Sequence, residues 1–199
     1  MLCVFAKIFI APIVLILMRA KVTGWKRLFR KGPMIIVSNH LAVMDPCLIG
    51  MVAPRCIHFM AKKELFENPV TNFILQKLLL CFPVDRDKAD VGSLKKALSV
   101  LEAGKVFGIF PEGRRTVTYE LDTLEKGAAF LALRTGAPIV PIWSDPDCYK
   151  HFKIHMRVGE AIDPKAIAAK YKGKPVDVVT EEIRMNMIRL QRDMIGERA

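Results

Sequence analysis

Residues 34–46 read MIIVSNHLAVMDP, and they are the most informative stretch for the architecture of the chain. The run from Met34 to Ser38 predicts a buried strand, because a short, continuous apolar segment suits a strand covered on both faces. Asp45-Pro46 predicts a helix start, with the aspartate as N-cap and the proline ring at the first helical position. A strand, a polar loop and a helix in this order are typical of α/β proteins.

The same alternation of strands and helices continues to the C-terminus. Further strands are predicted at Ile57–Ala61, in a short run ending at Val84, at Val106–Phe110, at Pro138–Trp143 and in the alternating segment Phe152–Val158. Helices are predicted from Asn68 to about Leu80, from Ser93 to Gly104, from Leu124 to Thr135, and after Thr180 as an N-cap. We therefore expect an α/β fold, with a mixed, largely parallel sheet flanked by helices.

The N-terminal segment is strongly apolar. Residues 1–18 contain one charge, Lys7, and Ile8 to Met18 is an unbroken apolar run. A cleaved signal peptide is disfavoured by the poor cleavage site around Arg19, and a spanning helix needs about 20 apolar residues. We favour a helix that lies at a membrane interface or is partly immersed, while spanning stays open as the alternative. Basic residues follow it at Arg19, Lys21, Lys26, Arg27, Arg30 and Lys31.

The overall composition favours an anionic membrane surface as a partner. The 199 residues include 31 Lys and Arg against 20 Asp and Glu, a formal net charge of +11, and 52% of residues are hydrophobic. This hydrophobic content argues against disorder and against a plain nucleic-acid binder. We expect residues 1–31 to form a membrane-associating segment and residues 32–199 a single domain, at the cytoplasmic face of the cell membrane.

Cysteine usage indicates a reducing compartment. The five cysteines are widely spaced and include no C-x-x-C pair. A disulfide framework and a cysteine-based zinc site are therefore both disfavoured. We expect all five thiols to be reduced.

Candidate chemistry begins with His40 and Asp45, which follow the first predicted strand. Loops at the carboxyl ends of parallel strands are where ligand-binding groups gather in α/β sheets. Asp45 could hold one ring nitrogen of His40 while the other nitrogen accepts a proton from a hydroxyl group. The alternative is a surface histidine beside an N-capping aspartate, and the pair by itself leaves both interpretations open.

A second charged loop follows the predicted strand at Val106–Phe110. It contains Glu112, Gly113, Arg114 and Arg115, and paired guanidinium groups suit a phosphate group. A solvated charged turn is the alternative. The run ending at Val84 is likewise followed by an arginine, Arg86. If these strand ends lie at one sheet edge, their side chains form a single cleft.

Four segments resemble the motifs of the glycerolipid acyltransferase family, which contains the lysophosphatidate acyltransferases. These segments are Asn39–Pro46, Phe82–Arg86, Phe110–Thr116 and Val140–Ile142. They occur in the family's order and spacing, and the resemblance covers roughly residues 20 to 165. It implies transfer of a fatty acyl group from acyl-CoA or acyl-carrier protein to lysophosphatidate, with no cofactor and no metal.

The resemblance also implies roles for individual residues. His40 would be the general base and Asp45 its orienting partner. The acceptor phosphate would be held around Glu112 by Arg86 and Arg115, with Gly113, Arg114 and, on a weaker match, Lys126 nearby. Arg114 replaces the threonine usual in the family, so preference among acceptor headgroups stays open. Another lysophospholipid or glycerol-phosphate acceptor, a thioester hydrolase and a lipid-binding module with an inactive site are the alternatives.

Overall fold

Seven strands form one sheet in the computed structural model, which describes residues 2–85, 91–115, 121, 123–147, 149, 153–171 and 173–197. The strands are β1 Lys21–Thr23, β2 Met34–Ser38, β3 Ile57–Lys62, β4 Phe82–Val84, β5 Val106–Ile109, β6 Ile139–Ser144 and β7 His155–Val158. Their order across the sheet is β1-β7-β6-β2-β5-β3-β4.

Five of these strands are parallel to one another. Strand β2 lies in the centre and pairs with β5 and β6, β5 pairs with β3, and β3 with β4. Strand β7 is antiparallel to β6, and the short β1 is parallel to β7. The predicted mixed, largely parallel sheet is confirmed. The carboxyl ends of the five parallel strands meet at one side of the sheet, here called the carboxyl edge.

Helices cover both faces of the sheet. Helix α1 runs through Leu2–Phe5, a π-helical turn at Ala6–Ile10 and Ala11–Leu17, and α3 combines Pro69–Phe73 with a π-helical turn at Ile74–Leu78. The others are α2 Asp45–Val52, α4 Val91–Glu102, α5 Gly127–Thr135, α6 Pro164–Lys170 and α7 Pro175–Gly196; 3₁₀ turns occur at Trp25–Phe29 and Lys63–Phe66.

Alternate side chains of the buried strand β2 enter two hydrophobic cores. Ile35 and Val37 belong to the core that includes residues of α4, α5 and α7. Met34 and Ile36 belong to the core that includes α2 and the inner sides of α1 and α3. Burial of β2 on both faces explains why its sequence is continuously apolar.

Two predicted helix starts were wrong in detail. Asp45 is the first residue of α2 rather than its N-cap, since its carboxylate bonds to the preceding loop instead. Helix α7 begins at Pro175, and Thr180 lies inside it, where its hydroxyl donates to the Val176 carbonyl at 2.7 Å. The Asn68 cap is confirmed, because its side chain accepts from two backbone N–H groups of α3. Phe152 lies outside the described residues.

The expectation of five reduced cysteines was wrong for two of them. Cys3 in α1 and Cys56 just before β3 form a disulfide, with Cα atoms 6.5 Å apart. The 53-residue separation hides this proximity in the sequence. Cys47 and Cys81 are free thiols, and burial raises the pKa of Cys81 to about 12. Cys148 lies outside the described residues.

Helix α1 packs along α2. The Lys7 ammonium donates to the carbonyl oxygens of Gly50 and Ala53 at the C-terminal end of α2, the latter at 2.6 Å. Burial lowers the pKa of Lys7 to about 8. This charge is therefore directed at protein carbonyl groups. Within the described part of the chain, no helix is both long and apolar enough to cross a bilayer.

Candidate functional site

His40 and Asp45 meet at the carboxyl edge, where β2 ends and α2 begins. Nδ1 of His40 lies 2.7 Å from Oδ2 of Asp45, and both residues are buried. The backbone N–H groups of Leu41 and Ala42 also donate to Asp45 Oδ2, at 2.6 and 2.8 Å. The loop thus wraps around the carboxylate, which fixes Asp45 against the imidazole.

Tyr149 completes the surroundings of Asp45. Its hydroxyl donates to Oδ1, so both carboxylate oxygens accept hydrogen bonds. The sequence analysis missed this residue, which lies 104 positions from its partner in a segment without a recognisable motif. Tyr149 therefore helps to fix the orientation of the Asp45 carboxylate beside His40.

Asn39 locks the neighbouring strand ends together. Its side-chain amide donates to the Ser144 carbonyl at 2.9 Å, and its oxygen accepts from the Ser144 N–H at 2.8 Å. Asn39 is buried, and these two bonds join the end of β2 to the end of β6. The position of the adjacent His40 backbone is therefore tied to the sheet.

An aromatic column supports the imidazole. The His40 ring stacks on Phe110 with centroids 4.2 Å apart and planes 19° apart, and Phe110 lies over Phe59 at 5.9 Å. Gly108 of β5 lies next to the Phe59 ring, and a Cβ atom at Gly108 would collide with it. The column therefore depends on a residue with no side chain.

Glu112 is brought to the same place by the turn after β5. It is buried, and Oε1 accepts from the backbone N–H of His40 at 3.3 Å. Gly113 continues the turn with φ +68°, a conformation that favours glycine. Arg114 and Arg115 follow and are exposed. Arg86, the remaining arginine predicted for this cleft, lies outside the described residues.

A cavity of about 590 Å³ opens beside His40. Its walls are mostly apolar and include Met60, Val84, Val91, Leu94, Ile109 and Leu131. Gly113 and Glu125 also line it. Such a volume, with few polar groups, is typical of a pocket for an organic ligand with an apolar part.

Lys126 is directed elsewhere. Its ammonium forms an ion pair with Asp177 at 2.6 Å, and the hydrogen bond from Lys126 lowers the pKa of that carboxyl group. Both residues line a second cavity, of about 410 Å³, which Arg184 also lines. The structure thus does not bring Lys126 to the cavity beside His40.

A second histidine–aspartate pair lies on the neighbouring strands. His155 of β7 has Nδ1 3.1 Å from Asp145 Oδ2 and Nε2 3.8 Å from Glu197 Oε2. The sequence analysis did not identify this pair. Among the described residues, no group of three or more His, Cys, Asp or Glu side chains is arranged to hold a metal ion.

The geometry around His40 suits proton transfer. Nδ1 is engaged by Asp45, whereas Nε2 forms no hydrogen bond with any residue that the structure describes. An imidazole whose far nitrogen is held by a carboxylate can accept a proton at the other nitrogen, and the carboxylate stabilises the resulting cation. The arrangement can therefore activate a hydroxyl group or water placed in the cavity.

Comparison with known proteins identifies the family to which the chain is similar. A sequence model of the family described as "Acyltransferase" matches residues 19–145. The 1-acyl-sn-glycerol-3-phosphate acyltransferase of Bacillus subtilis is 31% identical over 79% of this chain and 80% of its own length. The enzyme of that name from Borreliella burgdorferi is 32% identical over 61% of this chain and 49% of its own length.

A solved structure supports the fold. The crystal structure of the 1-acyl-sn-glycerophosphate (LPA) acyltransferase, PlsC, from Thermotoga maritima matches with a TM-score of 0.74 at 20% identity, over 96% of this chain and 81% of that chain. The two chains share the sheet flanked by helices. The match over residues 19–145 and the 31% identity to the Bacillus subtilis enzyme establish that the chain belongs to the acyltransferase family.

Proposed function

We propose that this chain is a 1-acyl-sn-glycerol-3-phosphate O-acyltransferase. It transfers a fatty acyl group from acyl-CoA or acyl-carrier protein to the free hydroxyl group of lysophosphatidate and yields phosphatidate. The observation that carries the proposal is the His40–Asp45 pair at 2.7 Å, set beside an apolar cavity. Membership of the acyltransferase family and the names of the Bacillus and Borreliella relatives support the choice of reaction.

His40 acts as the general base in this reaction. Nε2 removes the proton of the acceptor hydroxyl as its oxygen attacks the carbonyl carbon of the thioester. The tetrahedral intermediate then collapses, the carbon–sulfur bond breaks, and the leaving thiolate takes up the proton from the imidazolium. Asp45 stabilises the imidazolium in between, and a positioned base of this kind contributes about 10²–10⁴-fold to the rate.

The exposed turn after β5 binds the acceptor phosphate. Arg115 and Arg114 are exposed beside the buried Glu112, and a guanidinium group presents paired donors to a phosphate. Glu112 accepts from the His40 backbone, so it ties the position of the turn to that of the base. Gly113 lets the turn reverse, and Arg86 would add a further charge from the second motif.

The apolar cavity receives the acyl group. Side chains such as Leu94, Ile109 and Leu131 present hydrocarbon to it. Burial of the methylene groups of an acyl chain stabilises the complex by about 0.8 kcal/mol each. The thioester is already activated, so the reaction needs no cofactor or metal, only positioning and proton transfer.

The enzyme works at an anionic membrane surface, on the cytoplasmic face of the cell membrane. Both substrates have long apolar tails and anionic heads, and residues 1–31 combine the exposed apolar side of α1 with a group of basic residues. Apolar burial and attraction to anionic headgroups act together in such binding. Residues 32–199 form the catalytic domain, and nucleic acid is not a partner.

One assay tests the proposal. The purified chain is given acyl-CoA or acyl-carrier protein, with and without lysophosphatidate, while thiol release and lipid mass are followed. We expect thiol release to depend on lysophosphatidate and to match phosphatidate formation. Release without acceptor would identify a thioester hydrolase, and absence of turnover with every donor would identify a binding module. Lysophosphatidylglycerol, lysophosphatidylcholine and glycerol 3-phosphate serve as competing acceptors.

A further inference from the structure

Two helices on one side of the sheet present an uncovered apolar surface. Helices α1 and α3 pack on the same core through inner residues such as Leu15 and Leu75. Their outer sides carry the apolar face, defined here as Phe5, Ile8, Ile13 and Ile16 of α1 with Val70 and Phe73 of α3. Ile16 is 76% exposed, Val70 67% and Phe73 58%. Exposed apolar clusters of this kind mark sites of interaction.

The two helices form one surface rather than two separate patches. The first turn of α1, Leu2–Phe5, contacts the π-helical turn Ile74–Leu78 that continues α3. Helix α1 is also fastened to the domain by the Cys3–Cys56 disulfide and by the bonds of Lys7. The apolar face is therefore a fixed part of the domain.

The face reaches the edge of the sheet where the candidate site lies. Helix α3 follows the carboxyl end of β3 after one 3₁₀ turn, so it begins near the carboxyl edge. Val43 and Met44, in the loop between His40 and Asp45, are also exposed. Exposed apolar side chains thus occur both on the two helices and in the loop that carries the base.

The charges on both helices fit anionic lipid. Residues 2–17 and 69–78 contain no Asp or Glu. Lys77 of α3 is exposed, whereas the Lys7 ammonium is directed at carbonyl groups of α2. Arg19 follows α1 and is exposed. A second copy of this chain would bring the same formal charge of +11 to the interface, which opposes self-association through this face. An anionic bilayer supplies both hydrocarbon and negative charge.

We propose that α3 is a second lipid-contacting element, and that the apolar face of α1 and α3 docks broadside on an anionic bilayer. This inference rests on the proposed function and extends its membrane contact beyond residues 1–31. In this orientation the loop with Val43 and Met44 lies beside the lipid. The lysophosphatidate hydroxyl then enters the cavity from the bilayer surface without crossing water.

The test measures vesicle binding in the absence of any acyl donor. Wild-type chain and the double variant Val70→Ser/Phe73→Ser are floated with vesicles of phosphatidylglycerol and phosphatidylcholine. Loss of two apolar contacts is expected to weaken partitioning by roughly tenfold or more. The matched control is Met185→Ser/Ile195→Ser, which alters two exposed residues of α7 on the opposite face and is expected to float like wild type. Circular dichroism melting verifies that each variant is folded.

Two results would overturn the inference. One is unchanged flotation of the α3 variant while Ile13→Ser/Ile16→Ser on α1 abolishes it, since α1 alone would then contact lipid. The other is self-association in sedimentation analysis that the α3 variant disrupts without changing flotation, since a second copy would then occupy the face. Transfer to detergent-dispersed lysophosphatidate, measured in parallel, tests the proposed function independently of docking.

Discussion

The chain contains two histidine–aspartate pairs with similar internal geometry and different surroundings. Nδ1 of His40 lies 2.7 Å from Asp45, and Nδ1 of His155 lies 3.1 Å from Asp145. In both pairs the aspartate is almost fully buried. The pair itself therefore does not distinguish a candidate base from a structural histidine.

The two pairs differ in the surroundings of the second ring nitrogen, Nε2. Nε2 of His40 forms no hydrogen bond with the described residues, and His40 lines the cavity of about 590 Å³. Nε2 of His155 lies 3.8 Å from a carboxylate oxygen of Glu197, which also pairs with Arg157. His155 is thus enclosed by charged neighbours at the C-terminal end of α7. A histidine can serve as a base only where its outer nitrogen faces space for a substrate.

The most stringent test of this difference replaces each of the two histidines in turn. His40→Gln should lower kcat for acyl transfer by about 10⁴-fold, because glutamine cannot accept the hydroxyl proton. The matched variant His155→Gln should stay within about threefold of wild type, since His155 lines neither of the two cavities described above. Initial rates with saturating donor and acceptor measure both. Similar losses in the two variants would contradict the assignment of the base.

The aspartates give the next largest contrast. Asp45→Asn should lower kcat by about 10³-fold, because a neutral amide does not stabilise the imidazolium. Asp145→Asn should leave kcat nearly unchanged and act on thermal stability instead, through its bond to His155. Steady-state kinetics and melting curves on the same preparations separate the two effects. A large fall in kcat for Asp145→Asn would show that the second pair takes part in the reaction.

Tyr149 allows a further test of the His40–Asp45 pair, since its hydroxyl group donates to Asp45. Tyr149→Phe removes one hydrogen bond to a buried charged group and should lower kcat by about tenfold. The matched control is Tyr171→Phe, which removes the hydroxyl of an exposed tyrosine and should have no effect. Equal kcat values for the two variants would show that the hydrogen bond from Tyr149 to Asp45 does not contribute to catalysis.

Substitution of Arg115 tests whether the acceptor phosphate binds near His40. Arg115→Ala should raise the KM for lysophosphatidate by roughly fivefold, as one charged contact is lost, and leave the KM for the acyl donor unchanged. Arg134→Ala, a change to another exposed arginine at the end of α5, is the control. The two KM values are read from separate substrate titrations. An unchanged acceptor KM for Arg115→Ala would place the phosphate elsewhere.

Much of the fold could be predicted because its signals are local. The continuously apolar Met34–Ser38 indicated a strand buried on both faces, and Asn68-Pro69 indicated the start of α3. Strand β1 was not predicted, because three residues flanked by basic side chains carry no periodic pattern. The start of α7 was predicted too late. Threonine is a common N-cap residue, but the Thr180 hydroxyl bonds to a carbonyl within the helix instead.

Only part of the candidate site could be predicted from the sequence. His40, Asp45 and Glu112 lie in recognisable loops, and the structure brings them together. The contact of Tyr149 with Asp45 depends on how a distant segment folds back over the carboxyl edge. Lys126 has a plausible sequence position, but Asp177 of α7 lies close enough to bind it. Pairings of this kind are set by tertiary packing, which no single-sequence pattern encodes.

Gly108 shows how far the setting of the base extends into the sheet. Its missing Cβ leaves room for the Phe59 ring, on which Phe110 and then His40 rest. Even a methyl group at Gly108 would displace the Phe59 ring. Because Phe110 and His40 stack on that ring in turn, we expect the His40 imidazole to shift away from Asp45. The angle at which the base meets its substrate is thus governed from the middle of a buried strand, by a vacancy one carbon atom wide.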